Sequence, residues 1–114
     1  MAECLFCRIV KREIPSRIVY EDEQCLAFED INPQAPVHIL IIPKRHIDSL
    51  SQATTADTDL LAHLLLTINR LAKDKEVIDP GYRAVINSGP AGGQTVSHLH
   101  LHLLGGRPMQ WPPG

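Results

Sequence analysis

With 114 residues, 44% of them hydrophobic and 21% charged, the chain has the composition of one globular domain with a modest core. A net charge of −2 and a pI near 6.3 provide no basic footprint for nucleic acid. No apolar run reaches membrane-spanning length and the first residues lack the pattern of a secretory signal, so a cytoplasmic protein away from membranes is expected, its three cysteines an odd number for a disulfide framework.

Residues 4–12 suit a short helix, closed by the Ile14-Pro15-Ser16 break. Cys4-Leu-Phe-Cys7 has a spacing that can place two thiolates on one tetrahedral metal ion. His46 and His98 are the candidates to complete the set, giving a structural site with no position open to water. A thioredoxin-like redox pair is an alternative, but it needs a βαβ context and more chain than precedes Cys4. Inert reduced thiols are the other alternative.

Arg17–Glu21 and Cys25–Glu29 read as the strands of a hairpin around Asp22-Glu23-Gln24, with Cys25 assigned to packing. Pro33 and Pro36 mark a turn, and Val37–Ile42, apolar on both faces, reads as a buried strand ended by Pro43. The clearest element is a helix from about Thr55 to Val77. Within it Leu60, Leu61, Leu64, Leu65, Ile68, Leu71 and Ala72 recur at helical spacing as one apolar stripe. Thr54 or Thr55 can cap its start, and Asp57 and Asp59 suit the first turn. His63 falls opposite the stripe and reads as a solvated surface residue. Pro80-Gly81 then turns the chain into a strand over Tyr82–Asn87. The order predicts an α+β domain over residues 1–114: a mainly antiparallel five-stranded sheet, one long helix and a short N-terminal helix.

The loop Gly89–Gly93 runs into the last strand. Its glycines permit positive φ and leave backbone N–H groups able to converge on an anion, although taken alone the loop reads first as a plain turn. No Gly-Lys-Ser/Thr follows, so it is not a Walker loop. Beside it Gln94 and Thr95 add side-chain donors suited to a phosphate. In Ser97-His-Leu-His-Leu-His-Leu-Leu104, period-two alternation sends the leucines to a core and His98, His100 and His102 to the opposite face. A one-residue slip would bury the imidazoles, so the register is fixed. Imidazole can act near neutrality as nucleophile, acid/base or metal ligand. A catalytic metal held by all three is one alternative, which leaves Cys4 and Cys7 unexplained.

The run His98–Leu104 is similar to the His-φ-His-φ-His-φ-φ signature of the histidine triad (HIT) superfamily. Ile14-Pro-Ser, Leu26-Ala-Phe-Glu-Asp-Ile31, Pro33-Gln-Ala-Pro-Val-His38, Ile42-Pro-Lys-Arg-His46, Asn87 and Gly92-Gly-Gln-Thr95 resemble its landmarks over nearly the whole chain. The tail Gly105–Gly114 resembles the Hint branch. This resemblance implies a HIT-like fold and a purine nucleoside phosphoramidase, cleaving the P–N bond of AMP-amine conjugates through a nucleotidyl-histidine. AMP, GMP and their amine conjugates are the implied ligands.

On the matching positions the resemblance implies His100 as nucleophile, His98 orienting it, His102 on the phosphate oxygens and His38 as the proton-handling partner. Asp30 would take the ribose hydroxyls, and Phe28, Ile31, Phe6 and Ile9 would form the purine slot. Asn87 would contact the ribose or phosphate side, and Thr95, where relatives often carry serine, the leaving group. It further implies a homodimer joined through the long helix and a strand, with Trp111 of the tail near the partner's active site. Animal members lack Cys4-x-x-Cys7, whereas some bacterial relatives carry it as a zinc clip; a structural zinc on Cys4, Cys7, His46 and His98 is implied. Two other readings stay open: an AMP-binding regulatory or interaction module, and a dinucleoside polyphosphate hydrolase, against which the tail argues.

Overall fold

The computed structural model describes residues 4–114, whose elements follow as α1 (Leu5–Val10), β1 (Ile18–Glu21), β2 (Cys25–Glu29), β3 (Val37–Pro43), α2 (Thr58–Asp74), β4 (Tyr82–Ile86) and β5 (Leu101–Gly105). Every pairing is antiparallel and the order across the sheet is β1-β2-β3-β5-β4, so the last strand of the chain lies between β3 and β4. The expected α+β architecture is present, with its five-stranded sheet, long helix and short first helix. No helix among the described residues is long and apolar enough to cross a membrane.

Period two divides each strand between two faces. Ile39 and Ile41 of β3, with Leu99, Leu101 and Leu103, pack against Leu60, Leu64, Ile68 and Leu71 of α2. The alternate residues Leu40 and Ile42 pack instead with Leu26, Phe28, and Phe6 and Ile9 of α1. A helix covers each face, which is why residues 39–42 of β3 read as an unbroken apolar run. Each fully buried Leu or Ile contributes about 1.5–3 kcal/mol relative to exposure. His102 lies opposite Leu40 on β3 and Val85 on β4, so its side chain is fixed on the α1 face by two neighbours. Just beyond it β5 ends at Gly105, where a Cβ would come within 2.9 Å of Val77. Only glycine lets that strand pass so close.

Several local expectations are corrected. The long helix begins with a 3₁₀ turn, Thr55–Asp57, before α2 proper, and Val77 lies past its end in the core. Thr54 is the cap: its hydroxyl accepts the Ala56 N–H at 3.2 Å, and the Asp57 carboxylate accepts the Thr54 N–H at 2.8 Å. Leu65, expected on the stripe, is 49% exposed, and Thr67 takes a buried position with its hydroxyl donating to the His63 carbonyl at 2.7 Å. His63 is not a solvated residue; it is half-buried and donates from Nε2 to Asp22 Oδ2 at 2.6 Å, pinning the β1–β2 hairpin to α2. Burial opposes ionisation of Asp22, but the N–H groups of Gln24 and Cys25, the Tyr20 hydroxyl and His63 outweigh it and hold the carboxyl well below its usual range. Cys25 packs as expected, and burial pushes its thiol up to about 11. Pro43 is the last residue of β3 rather than the residue after it.

Candidate active site and metal centre

Only His102 of the three alternating histidines lies in a ladder, since β5 starts at Leu101. His98 and Leu99 are held on the approach by bonds from the His98 N–H to the Val96 carbonyl (2.9 Å) and from the Leu99 N–H to the Ile47 carbonyl (2.6 Å). The side chains nevertheless keep their alternation. Leu99 stays in the α2 core, and the rings form a row with centroids 4.7 Å apart for His46–His98, 5.1 Å for His100–His102 and 5.2 Å for His38–His102. Phe6 presents edge-on geometry to both His98 (5.9 Å) and His100 (5.1 Å). No metal-sized cluster among the described residues gathers all three histidines, so the row offers no common catalytic metal site.

Hydrogen-bond partners assign the protons along this row. His100 Nδ1 lies 2.7 Å from the His98 carbonyl, an acceptor only, so Nδ1 carries the hydrogen and Nε2 keeps its lone pair. The Gln34 N–H donates to His38 Nδ1 at 3.0 Å, which leaves the His38 hydrogen on Nε2. From there it is donated to His102 Nδ1 at 2.9 Å, and the His102 hydrogen falls on Nε2. That N–H is buried and has no hydrogen-bond partner among the described residues. A buried donor left so costs about 1–3 kcal/mol and is rare. Burial pushes His102 down to about 4, with the neighbouring His100 and His38 adding to the effect. Burial also lowers His38, against the opposing pull of Asp30, whose Oδ2 lies 3.5 Å from Nε2. Both rings are neutral at pH 7, as the proton assignment requires.

Beside His38 opens a pocket of 380 Å³ lined by Arg17, Glu29, Asp30, Ile31, Pro33 and Pro36. Asp30 Oδ1 accepts the Asn32 N–H at 2.8 Å, which sets the turn after β2 and faces the carboxylate along the pocket wall. Ile31 is 99% exposed, whereas Phe28 is buried against Phe6 at 5.6 Å between centroids, with Ile9 beside them. Asn87 is half-buried beside the glycine loop, its amide 3.9 Å from where a Cβ on Gly93 would stand. Gly93 has φ +88°, and a Cβ on Gly92 would lie 2.5 Å from the Ser88 carbonyl, so this turn excludes side chains at both positions. Thr95 is exposed at the end of the loop. Gln94 is committed inside it: Oε1 accepts the Gly89 N–H at 2.8 Å, while Nε2 donates to the Asp48 carbonyl (2.7 Å) and the Val96 carbonyl (2.9 Å). Its amide braces the loop instead of facing a ligand.

At the other end of the row, Cys4, Cys7, His46 and His98 bring their ligand atoms within 4.8 Å of one another and can hold a metal ion. Cys4 N-caps α1 by accepting the Cys7 N–H at 3.1 Å, which turns both sulfurs to one side. His98 Nε2 donates to the Pro43 carbonyl at 2.8 Å and His46 Nε2 to Asp48 Oδ1 at 2.5 Å, so both Nδ1 lone pairs face the thiols. The four sulfur-to-nitrogen distances run from 3.1 to 3.6 Å. Tetrahedral bonds of about 2.3 Å to sulfur and 2.0–2.1 Å to nitrogen require about 3.5 Å. The residues fit a closed four-ligand site with its outer hydrogen bonds in place. Asp48 and the Pro43 carbonyl escaped the sequence reading; the His46-x-Asp48 spacing was the available signal for the first. The second carried none, because any residue there has a carbonyl.

A family model described as the HIT domain matches residues 11–109. An uncharacterised HIT-like protein of Synechococcus elongatus is 60% identical over 112 residues, covering 98% of this chain and 97% of that protein. The crystal structure of a HIT family hydrolase from Legionella pneumophila superposes with a TM-score of 0.97 at 52% identity, over 98% of this chain and 100% of that one. A histidine triad protein from Clostridium difficile gives 0.91 at 46% identity, over 96% and 97% of the two chains.

Proposed function

The chain belongs to the HIT domain family, and on that premise we propose that it hydrolyses the P–N bond of purine nucleotide phosphoramidates, AMP-amine conjugates above all. The observation that carries this reading is the proton assignment around His100: Nδ1–H is anchored on the His98 carbonyl, so the Nε2 lone pair is presented beside the unpartnered Nε2–H of His102. In the first step His100 Nε2 attacks the α-phosphorus, the P–N bond breaks and the amine leaves with the electron pair and a proton from the hydrogen-bonded His38–His102 pair, which the attacking water of the second step restores. Water then attacks the phosphorus, the bond to His100 breaks, and AMP is released. Covalent catalysis splits one hard displacement into two easier ones.

His98 acts through its carbonyl, since the imidazolium that develops on His100 strengthens the Nδ1–H bond to it. His102 donates Nε2–H to a phosphoryl oxygen, most strongly as charge accumulates there. His38 holds His102 in that tautomer and, with Asp30 at 3.5 Å, accommodates positive charge on the pair. Asp30 also offers two acceptor oxygens to the ribose hydroxyls. Phe28, Phe6 and Ile9 form the buried wall for the purine, and Ile31 covers it from solvent. Asn87 meets the ribose or phosphate side, and Thr95 the leaving amine.

The Cys4, Cys7, His46 and His98 centre is assigned to a structural zinc, as in a bacterial-type Hint protein. When bound it supplies a fixed anchor for His98 and takes no part in the bond changes. The homodimer reading is supported by the open edge of β4 and the exposed Leu65 and Leu66 beside it, where Asn69 on the same helix accepts from the Tyr82 hydroxyl of β4 at 2.5 Å. Trp111, 84% exposed, is on this reading the tail residue offered to the partner's amine side. The test is hydrolysis of a fluorogenic AMP-amine conjugate by wild type and His100→Gly. Turnover by wild type alone is expected. Turnover retained in the variant would overturn the nucleophile assignment, and AMP binding with no turnover of any conjugate would overturn the enzymatic reading.

A further inference from the structure

We infer that Phe6 is a positioning residue that couples the metal centre to the nucleotide site, so that metal and nucleotide strengthen each other's binding. The inference rests on the nucleotide reading above. Phe6 stands inside the Cys4-Leu-Phe-Cys7 clip, on a helix of six residues that buries only Phe6 and Ile9. Its ring is buried edge-on to three others: Phe28 of the purine wall at 5.6 Å, His100 at 5.1 Å and His98 at 5.9 Å. One side chain therefore touches the base slot, the nucleophile and a metal ligand. A second connection runs through His98, whose ring faces the thiols while its carbonyl holds His100 Nδ1–H at 2.7 Å.

A six-residue helix has little stability of its own, because nucleation costs more than one turn of hydrogen bonds returns. What places α1 is its small apolar contact and the two thiols at its first turn. A metal ion bonded to Cys4, Cys7, His46 and His98 fixes that turn against the far end of the chain, and with it the Phe6 ring. A purine seated on Phe28 and Phe6 fixes the same ring from the other side. Each ligand removes motion that the other would otherwise have to remove, which is positive coupling, and linkage makes it equal in both directions.

The test is the rate at which the full zinc-loaded chain surrenders Zn²⁺ to a chromogenic chelator, with and without saturating AMP, while AMP binding is measured separately by calorimetry. AMP is expected to slow zinc loss by about fivefold or more in wild type. In Phe6→Leu, which keeps apolar volume on α1 and removes the aromatic edge contacts, the effect is expected to shrink to less than about twofold. Co²⁺ loaded in place of zinc gives a check on wild type alone: its visible bands should shift when AMP binds. AMP that binds without altering zinc loss or the Co²⁺ spectrum would overturn the coupling. Equal slowing in Phe6→Leu would overturn the assignment to Phe6, and a chain that takes up neither metal would overturn the metal side. Absence of AMP binding would instead remove the nucleotide reading on which the inference stands.

Discussion

The two faces of the sheet receive alternate residues of the same strands and serve opposite ends. On the α2 face, Ile39, Ile41, Leu99, Leu101 and Leu103 meet leucines and isoleucines of the helix, and Thr67, the buried helix polar residue, satisfies its hydroxyl on its own turn. On the α1 face the interleaved positions bring His38, His98, His100 and His102 into a row over a smaller apolar cluster. The first face needs only volume and shape. The second is settled bond by bond: in this row only His100 Nε2 and His102 Nε2 lack a stated partner, while His98 Nδ1 is turned to the thiols. Strand period lets neighbouring residues belong to scaffold and chemistry without interfering with one another.

Substitutions one residue apart test that separation. His100→Gly should lower turnover by at least about 10³-fold in single-turnover assays while circular dichroism shows the fold retained. Leu101→Ala, on the opposite face, should cost about 2–5 kcal/mol in urea unfolding and leave the KM of folded protein unchanged. A comparable loss of turnover in the folded Leu101 variant would show that the faces are not independent.

The histidine face should also be the acid-sensitive one. His102 and His38 have pKa values depressed on folding, so between about 4 and the unfolded value near 6.5 the unfolded chain binds more protons. The His102 contribution is fully present above about pH 6.5 and is lost as pH falls toward 4, at up to about 1.4 kcal/mol per unit, and His38 acts in the same direction. Urea midpoints across that range should follow this slope, and His102→Gln should flatten it. The smallest effect belongs to the scaffold: Thr54→Ala, which removes the helix cap, should cost about 1 kcal/mol in thermal unfolding and leave turnover alone.

Much of this was legible in the residues. The spacing of Leu60, Leu64, Ile68 and Leu71 announced α2, and the leucine–histidine alternation announced the two faces, because both reflect periods the backbone imposes. Leu65 was misjudged because a heptad-like count cannot tell the centre of a stripe from its margin. His63 was misjudged because its partner, Asp22, lies 41 residues away and only the hairpin's packing brings them together. The ladder's late start at Leu101 was hidden since side-chain alternation continues through an extended segment with no pairing. Gln94 read as a donor because a sequence shows what an amide can do and not which carbonyls, here those of Asp48 and Val96, have already claimed it.

The position of β5 has a consequence for how the molecule comes into being. Of the five strands described it is the last to be synthesised, yet β3 and β4 are joined only through it. A nascent chain that has reached Asn87 holds four of the five strands and lacks the one that makes them a sheet. Closure must wait for a long-range pairing between β3 and β5, a slow event set by loop entropy, with β4 left open to misassociation in the interval. Of the imidazoles, His102 arrives with the strand that completes the sheet. A translation product ending before Leu101 would lack the strand that joins β4 to the rest of the sheet, and with it His102.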